Sequence, residues 1–218
     1  INFPINLYTY VSINKRYDGK FLIQYSKTEN VENISDIENE LVRVVLEYFD
    51  IKTPISVYLN ADIPSAGSGL AASSSFLISM IKATSHFKGL NYSDYEICDL
   101  ALKLEKIFNP LVGRQDSYGC GIKGFKRTIF NSDKSLNIEP LSHDIFRKFK
   151  FYLISVGKSR NSTGILKSLN FEDRKLMCDD VNLGLEFIQS KNYTDLNNLI
   201  LKSWGDKFNK LKLELRLL

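Results

Sequence analysis

Two carboxylates, Glu105 and Asp116, stand eleven positions apart across the end of one helix-like segment and a glycine-containing loop. Carboxylates spaced this way can converge, one holding a divalent cation while the other accepts a hydroxyl proton. Phosphoryl transfer needs both roles, because its catalysis is mostly positioning and charge neutralisation. A second segment, Asp62 to Phe76 (DIPSAGSGLAASSSF), is built from glycine, alanine and serine. Small residues let the backbone approach a ligand closely. A helix beginning there offers unpaired N–H groups and the positive end of its dipole to an anion such as phosphate. The hydroxyls of Ser73 to Ser75 can bind phosphate oxygens or Mg²⁺. The plainer alternatives are a flexible loop capped by serine, with Glu105 a solvated helix residue and Asp116 a turn former.

These groups need elements to hold them. Ile55–Leu59 alternates apolar and polar residues and predicts a strand leading into the Gly/Ser loop. Phe76, Leu77, Met80, Ile81, Thr84 and Phe87 predict the helix that leaves it. Ser93-Asp94-Tyr95-Glu96 is a capping box opening a helix with Ile97, Leu100, Ala101, Leu104 and Phe108 on its apolar face, ended by Asn109-Pro110. At 100° per residue Glu105 lies about 80° from the middle of that stripe, at the edge of the buried face. Upstream, Ile5–Ile13 reads as a strand. The Asp18-Gly19 turn predicts that it pairs with Phe21–Tyr25 as a hairpin. A second capping box, Ser35 with Glu38, predicts a helix through Ile37, Leu41, Val44, Val45 and Tyr48. Downstream come a hairpin around Asn131-Ser132-Asp133, a short strand over 151–156, and helices over about 172–190 and 194–214. Strands and a hairpin first, then helices alternating with strands, indicate an α+β fold.

Composition narrows the function classes. Of 218 residues 44% are hydrophobic and 25% charged, which excludes a wholly disordered chain. The net charge of +4 is small and scattered, and no nucleic-acid partner is expected. No apolar run approaches the roughly 20 residues of a membrane span, so no membrane partner is expected either. Three cysteines without CxxC spacing read as reduced thiols, and a cytoplasmic location is expected. His86 and His143 have no metal-ligand spacing. Gly157-Lys158-Ser159 lacks the first glycine of a Walker loop, because Tyr152 stands there.

Pro64-Ser65-Ala66-Gly67-Ser68-Gly69-Leu70-Ala71-Ala72-Ser73-Ser74 resembles the P-x-G-S-G-L-G-S-S motif of the GHMP kinase superfamily. It differs by one inserted residue before Gly67, Ala71 for the usual glycine and Ala72 for the first serine. Glu105 and Asp116 match the spacing of the family's Mg²⁺-binding glutamate and catalytic aspartate. Val112–Tyr118 with Lys123-Gly124-Phe125, Val156–Ser162, and Leu201–Trp204 with Lys207 are similar to landmarks of its sugar-kinase branch, which holds heptose 7-phosphate kinases and fucokinase-like enzymes.

The resemblance implies a ribosomal protein S5 domain 2-like N-terminal domain over 1–145. Part of a ferredoxin-like C-terminal domain would follow over 146–218. It also implies an ATP-dependent phosphotransferase acting on an alcohol group of a sugar or sugar phosphate. In that reading Pro64 to Ser74 cradle the ATP phosphates, Ser73 and Glu105 hold Mg²⁺ and Asp116 is catalytic. Gln115, Tyr118 and Arg160 would meet the substrate. A fucokinase- or galactokinase-like enzyme, a non-catalytic nucleotide- or sugar-binding relative, and a structural module remain alternatives. The family's first motif is expected before Ile1 and its third after Leu218.

Overall fold

The computed structural model describes residues 1–63, 69–153 and 171–210. By their contacts they form two compact units. One holds Phe3–Gly124; the other holds Ile1–Asn2 and most of the chain from Phe125 onward. This division falls earlier than the 145/146 boundary expected from the sequence, because the strands after Phe125 group with the later helices.

The first unit is built on a four-stranded sheet. Its strands are β1 (Thr9–Lys15), β2 (Phe21–Gln24), β3 (Thr28–Val31) and β4 (Ile55–Ala61), in the order β1-β4-β2-β3. β1 runs antiparallel to β4, from Thr9 opposite Ala61 to Lys15 opposite Ile55. β2 runs parallel to β4, with Ile23 opposite Val57, and antiparallel to β3. The expected β1–β2 hairpin is therefore corrected. The Asp18-Gly19 turn exists, with Gly19 at φ +78° and the Lys20 N–H donated to Asp18. Yet β4 inserts between the two strands. Ile55, Ser56 and Val57 are all buried, and such a run belongs in a sheet centre with partners on both sides. β1 starts at Thr9, later than the expected Ile5, because β4 ends opposite Thr9.

Helix α1 (Glu40–Tyr48) begins later than its apparent capping box. Residues Ile34–Asp36 make a 3₁₀ turn, and Ile37 leaves it in an extended conformation and is fully buried. Glu29 of β3 accepts the backbone N–H groups of Glu38 and Asn39, so the chain entering α1 is held from outside the helix. Asn39 is the true N-cap, accepting from the Val42 N–H.

Helices α2 (Ala72–Phe87) and α3 (Asp94–Phe108) follow. Leu77, Met80, Ile81, Ile97, Leu100 and Leu104 pack with Ile23 and Val57 of the sheet in one core. A short helix, α4 (Arg114–Gly121), was not apparent in the sequence.

In the second unit β5 (Lys126–Phe130) and β6 (Leu136–Pro140) form the expected antiparallel hairpin, and Asn2 bridges to Lys126. After a short helix α5 (Asp144–Lys148), helices α6 (Phe171–Gln189) and α7 (Tyr193–Lys210) fall close to their expected spans. Phe125, Ile145 and Leu196 centre a smaller core. Of the strand expected over 151–156, residues 151–153 carry no regular structure and the rest lies outside the described residues. No described helix is long and apolar enough to cross a membrane.

Candidate active site

The site gathers at the N-terminus of α2. β4 delivers the chain to Asp62, whose carboxylate accepts the Tyr8 N–H (2.8 Å) and the Tyr10 hydroxyl (3.2 Å), tying the loop entrance to β1. Pro64, Ser65, Ala66, Gly67 and Ser68 lie outside the described residues. The chain reappears at Gly69, with φ +73°, and Ala71 takes a left-handed conformation, φ +55° and ψ +35°. A β-carbon is disfavoured there by about 1–2 kcal/mol, which gives a physical reason for the glycine usual at this position. Ala71 is the N-cap of α2 and has no side chain with which to cap. The helix therefore starts without the local acceptor that its first N–H groups normally find.

The three serines that follow have different partners. Ser75 Oγ lies 2.9 Å from Thr9 Oγ1, which also reaches Ser79 Oγ at 2.9 Å, so Ser75 docks α2 on β1. Ser74 is buried and donates its hydroxyl to Glu105 Oε2 at 2.6 Å. Ser73 is exposed, and its hydroxyl lies near enough to the Glu105 carboxyl to favour the ionised form. Glu105 is only 2% exposed. It sits deeper than the edge position expected from the helical wheel, because the N-terminus of α2 covers it. Burial pushes its carboxyl above the ordinary glutamate range; the Ser74 and Ser73 hydroxyls oppose that shift, and the negative charge of Asp116 adds to it. The two carboxylates thus lie within electrostatic reach of one another.

Asp116 is held by α4. Gly113 is the N-cap of this helix, and Arg114, Gln115 and Asp116 form its exposed or half-exposed first turn. Three contacts fix the helix. Tyr118 donates its hydroxyl to Asp99 of α3, and the Arg114 guanidinium lies over the Tyr118 ring, 5.5 Å from its centre. The Cys120 thiol points at the Ala71 carbonyl, 3.9 Å away, joining α4 to the turn that starts α2. Gly121 passes so close to α3 that a β-carbon would stand 2.3 Å from Cys98 Sγ.

Of the residues expected to meet substrate, Gln115 is exposed. Tyr118 is 1% exposed, and burial together with Asp99 raises its hydroxyl to about 12, so it braces α4 and has no open face for a ligand. Arg160 lies outside the described residues. Asp99 and Cys120 stand in no recognisable motif; only the folded contacts of α4 with α3 and with the turn at Ala71 reveal them.

The donor set is oxygen only: the buried Glu105 carboxylate and the exposed Ser73 hydroxyl, with the Asp116 carboxylate within electrostatic reach. That set suits a hard divalent cation. Among the described residues no three His, Cys, Asp or Glu side chains gather as a closed metal cage. Mg²⁺ is usually bound by one or two carboxylates together with substrate phosphates and water, so the residues present fit it.

A buried carboxylate thus lies behind a serine-lined helix start with no side-chain cap, on this α+β frame. Residues 36–124 match the family "GHMP kinases N terminal domain". The chain is 32% identical over 155 residues to the D-glycero-alpha-D-manno-heptose 7-phosphate kinase of Campylobacter jejuni, a match covering 65% of this chain. The match spans 45% of that relative, so the chain corresponds to less than half of its length. Among solved structures, the Methanococcus jannaschii mevalonate kinase superposes with a TM-score of 0.65 at 18% identity, covering 94% of this chain and 70% of that one. A D-glycero-D-manno-heptose 1-phosphate kinase from Bacteroides thetaiotaomicron gives 0.62 at 17% identity, covering 97% and 69%. At these identities the structural likeness establishes the shared α+β fold.

Proposed function

We propose that this chain is the nucleotide-binding and catalytic part of an ATP-dependent kinase that phosphorylates a hydroxyl of a sugar or sugar phosphate. The observation that carries the reading is Glu105, buried behind Ser73 and Ser74 at an uncapped helix N-terminus, with the charge of Asp116 beside it. The heptose-phosphate kinase relatives support a sugar or sugar-phosphate acceptor. Mg²⁺, when bound, would neutralise charge on the transferring phosphoryl group.

The chain's own residues divide the remaining work. Backbone N–H groups at the start of α2, with the segment Pro64 to Ala72, hold the phosphates. Glu105 and Ser73 hold the cation. Asp116, on the first turn of α4, orients the acceptor hydroxyl and takes its proton. Gln115 and Arg160 contact the sugar. In this reading residues 1–145 belong to the N-terminal kinase domain and 146–218 to part of the C-terminal one, in a cytoplasmic enzyme.

Replacing Asp116 by Asn in the intact protein tests the assignment. Turnover with ATP and candidate sugars should fall by roughly 10²–10⁴-fold, the usual range for a lost general base, while nucleotide still binds. Near wild-type turnover would sink it. One observation favours a second reading, a relative that binds nucleotide without transferring phosphate: Ala71 holds the left-handed turn at a cost, and Ala72 lacks a hydroxyl. Phosphate transfer by the wild-type protein separates the two.

A further inference from the structure

The three adjacent serines of α2 are chemically alike and structurally distinct, and that difference assigns a role that their sequence does not. Ser73 is exposed, with its hydroxyl near the Glu105 carboxyl. Ser74 is 1% exposed and reaches the same carboxylate from within the core. Ser75 turns to Thr9 and does not reach Glu105.

We propose that Ser74 is a positioning residue for the cation site: its buried hydroxyl clamps Glu105 Oε2, so that the rest of the carboxylate is left for Ser73 and a bound cation. This rests on the kinase reading above and concerns how the same site binds its metal–nucleotide.

The physical argument is one of satisfied and unsatisfied lone pairs. A carboxylate offers about four acceptor positions, and burying it is costly unless they are used. Ser74 has one hydroxyl proton, and at 2.6 Å it is given to Oε2. A serine with its proton committed and its oxygen buried has nothing to offer a phosphate. Its contribution to a ligand therefore passes through Glu105. α2 and α3 approach here through residues 31 positions apart, so the clamp also ties the helix that begins the phosphate loop to the helix that carries the metal-binding carboxylate. Partners that orient a ligating group typically change metal affinity by about 10–100-fold when removed. Ser73, which is exposed, is left as the hydroxyl that can join the coordination.

The test uses Mn²⁺ as a spectroscopic stand-in for the cation, with ADP and the intact protein. Paramagnetic resonance gives the Mn²⁺ dissociation constant of the ternary complex; calorimetry gives metal-free ADP affinity. Ser74→Ala should weaken Mn²⁺ binding about tenfold or more, leave metal-free ADP affinity within a factor of about two, and raise the Mg²⁺ concentration needed for half-maximal rate more than it lowers kcat. Ser74→Thr, which keeps the hydroxyl, should recover most of the Mn²⁺ affinity. Ser75→Ala, which loses a hydrogen bond on the same helix without touching Glu105, should leave Mn²⁺ affinity unchanged. If Ser74→Ala binds Mn²⁺ as wild type does, or Ser75→Ala weakens it equally, Ser74 is structural only. If the wild-type protein binds no Mn²⁺ with ADP, the kinase reading falls together with this one, an outcome distinct from loss of the serine's role alone.

Discussion

Helices α2 and α3 both carry serine near their N-termini and solve their first turns in opposite ways. At α3 the solution is local. Ser93 accepts the Glu96 N–H, and Glu96 reaches back to the Ser93 N–H at 2.8 Å. Everything required lies within four residues. At α2 the N-cap is Ala71, which has nothing to give and sits in a left-handed conformation. The serines that follow look away from their own helix, to Glu105 on α3 and Thr9 on β1. A helix start completed by its own sequence is a structural joint. One without a cap side chain of its own, with long-range partners beneath it, suits the phosphate binding proposed above.

Substitutions that upset this contrast should differ in size. The largest stability effect is expected at the joint between α3 and α4. Gly121→Ala drives a β-carbon into Cys98 Sγ and crowds Ile78 Cδ1 at 3.3 Å. Overpacking of this kind costs about 1–3 kcal/mol. A denaturant midpoint should show that loss, and combining it with Cys98→Ala should return much of it.

The two N-caps should then respond with opposite signs. Ser93→Ala removes a working cap and should cost about 1 kcal/mol. Ala71→Gly removes left-handed strain and should gain about 1 kcal/mol, measured by urea unfolding. A loss at Ala71→Gly would mean that the strain is not relieved where the backbone places it.

The smallest effect is electrostatic. The Ser93 backbone and side chain hold the Glu96 carboxyl below its ordinary value. For a carboxyl depressed in the folded state, the stabilising contribution is complete above the unfolded pKa near 4.5 and is lost as pH falls through the folded value. Glu96→Gln should therefore lower stability slightly at neutral pH and flatten the acid side of the profile, the two proteins converging well below about pH 4.5. An equally steep acid limb in that variant would remove Glu96 from the account.

The same contrast explains what the sequence could reveal. Ser93 with Glu96, the strand over Ile55–Leu59 and the hairpin around Asn131 rest on local signals, and each element appears in the structure. The spacing of Glu105 and Asp116 across a helix end and a turn is also local, and the charge of Asp116 reaches the Glu105 carboxyl. Ser35 and Glu38 carry the same local pattern as Ser93 and Glu96 but do not cap a helix, because Glu29 on β3 captures the N–H groups of Glu38 and Asn39. The Asp18-Gly19 turn did not make a hairpin, because β4, more than thirty residues later, takes the place between β1 and β2. The separate duties of Ser73, Ser74 and Ser75 were equally hidden, since they depend on which distant element each hydroxyl meets.

The central claim is that the start of α2, backed by Glu105, binds a metal–nucleotide phosphate. Thermal unfolding of the intact protein in millimolar MgATP tests it most directly. A ligand at 100 times its dissociation constant adds about 2.7 kcal/mol to the native state, so the wild-type midpoint should rise by several degrees, and Glu105→Gln should lose most of that rise. An identical midpoint with and without MgATP, or a full rise in Glu105→Gln, would contradict it.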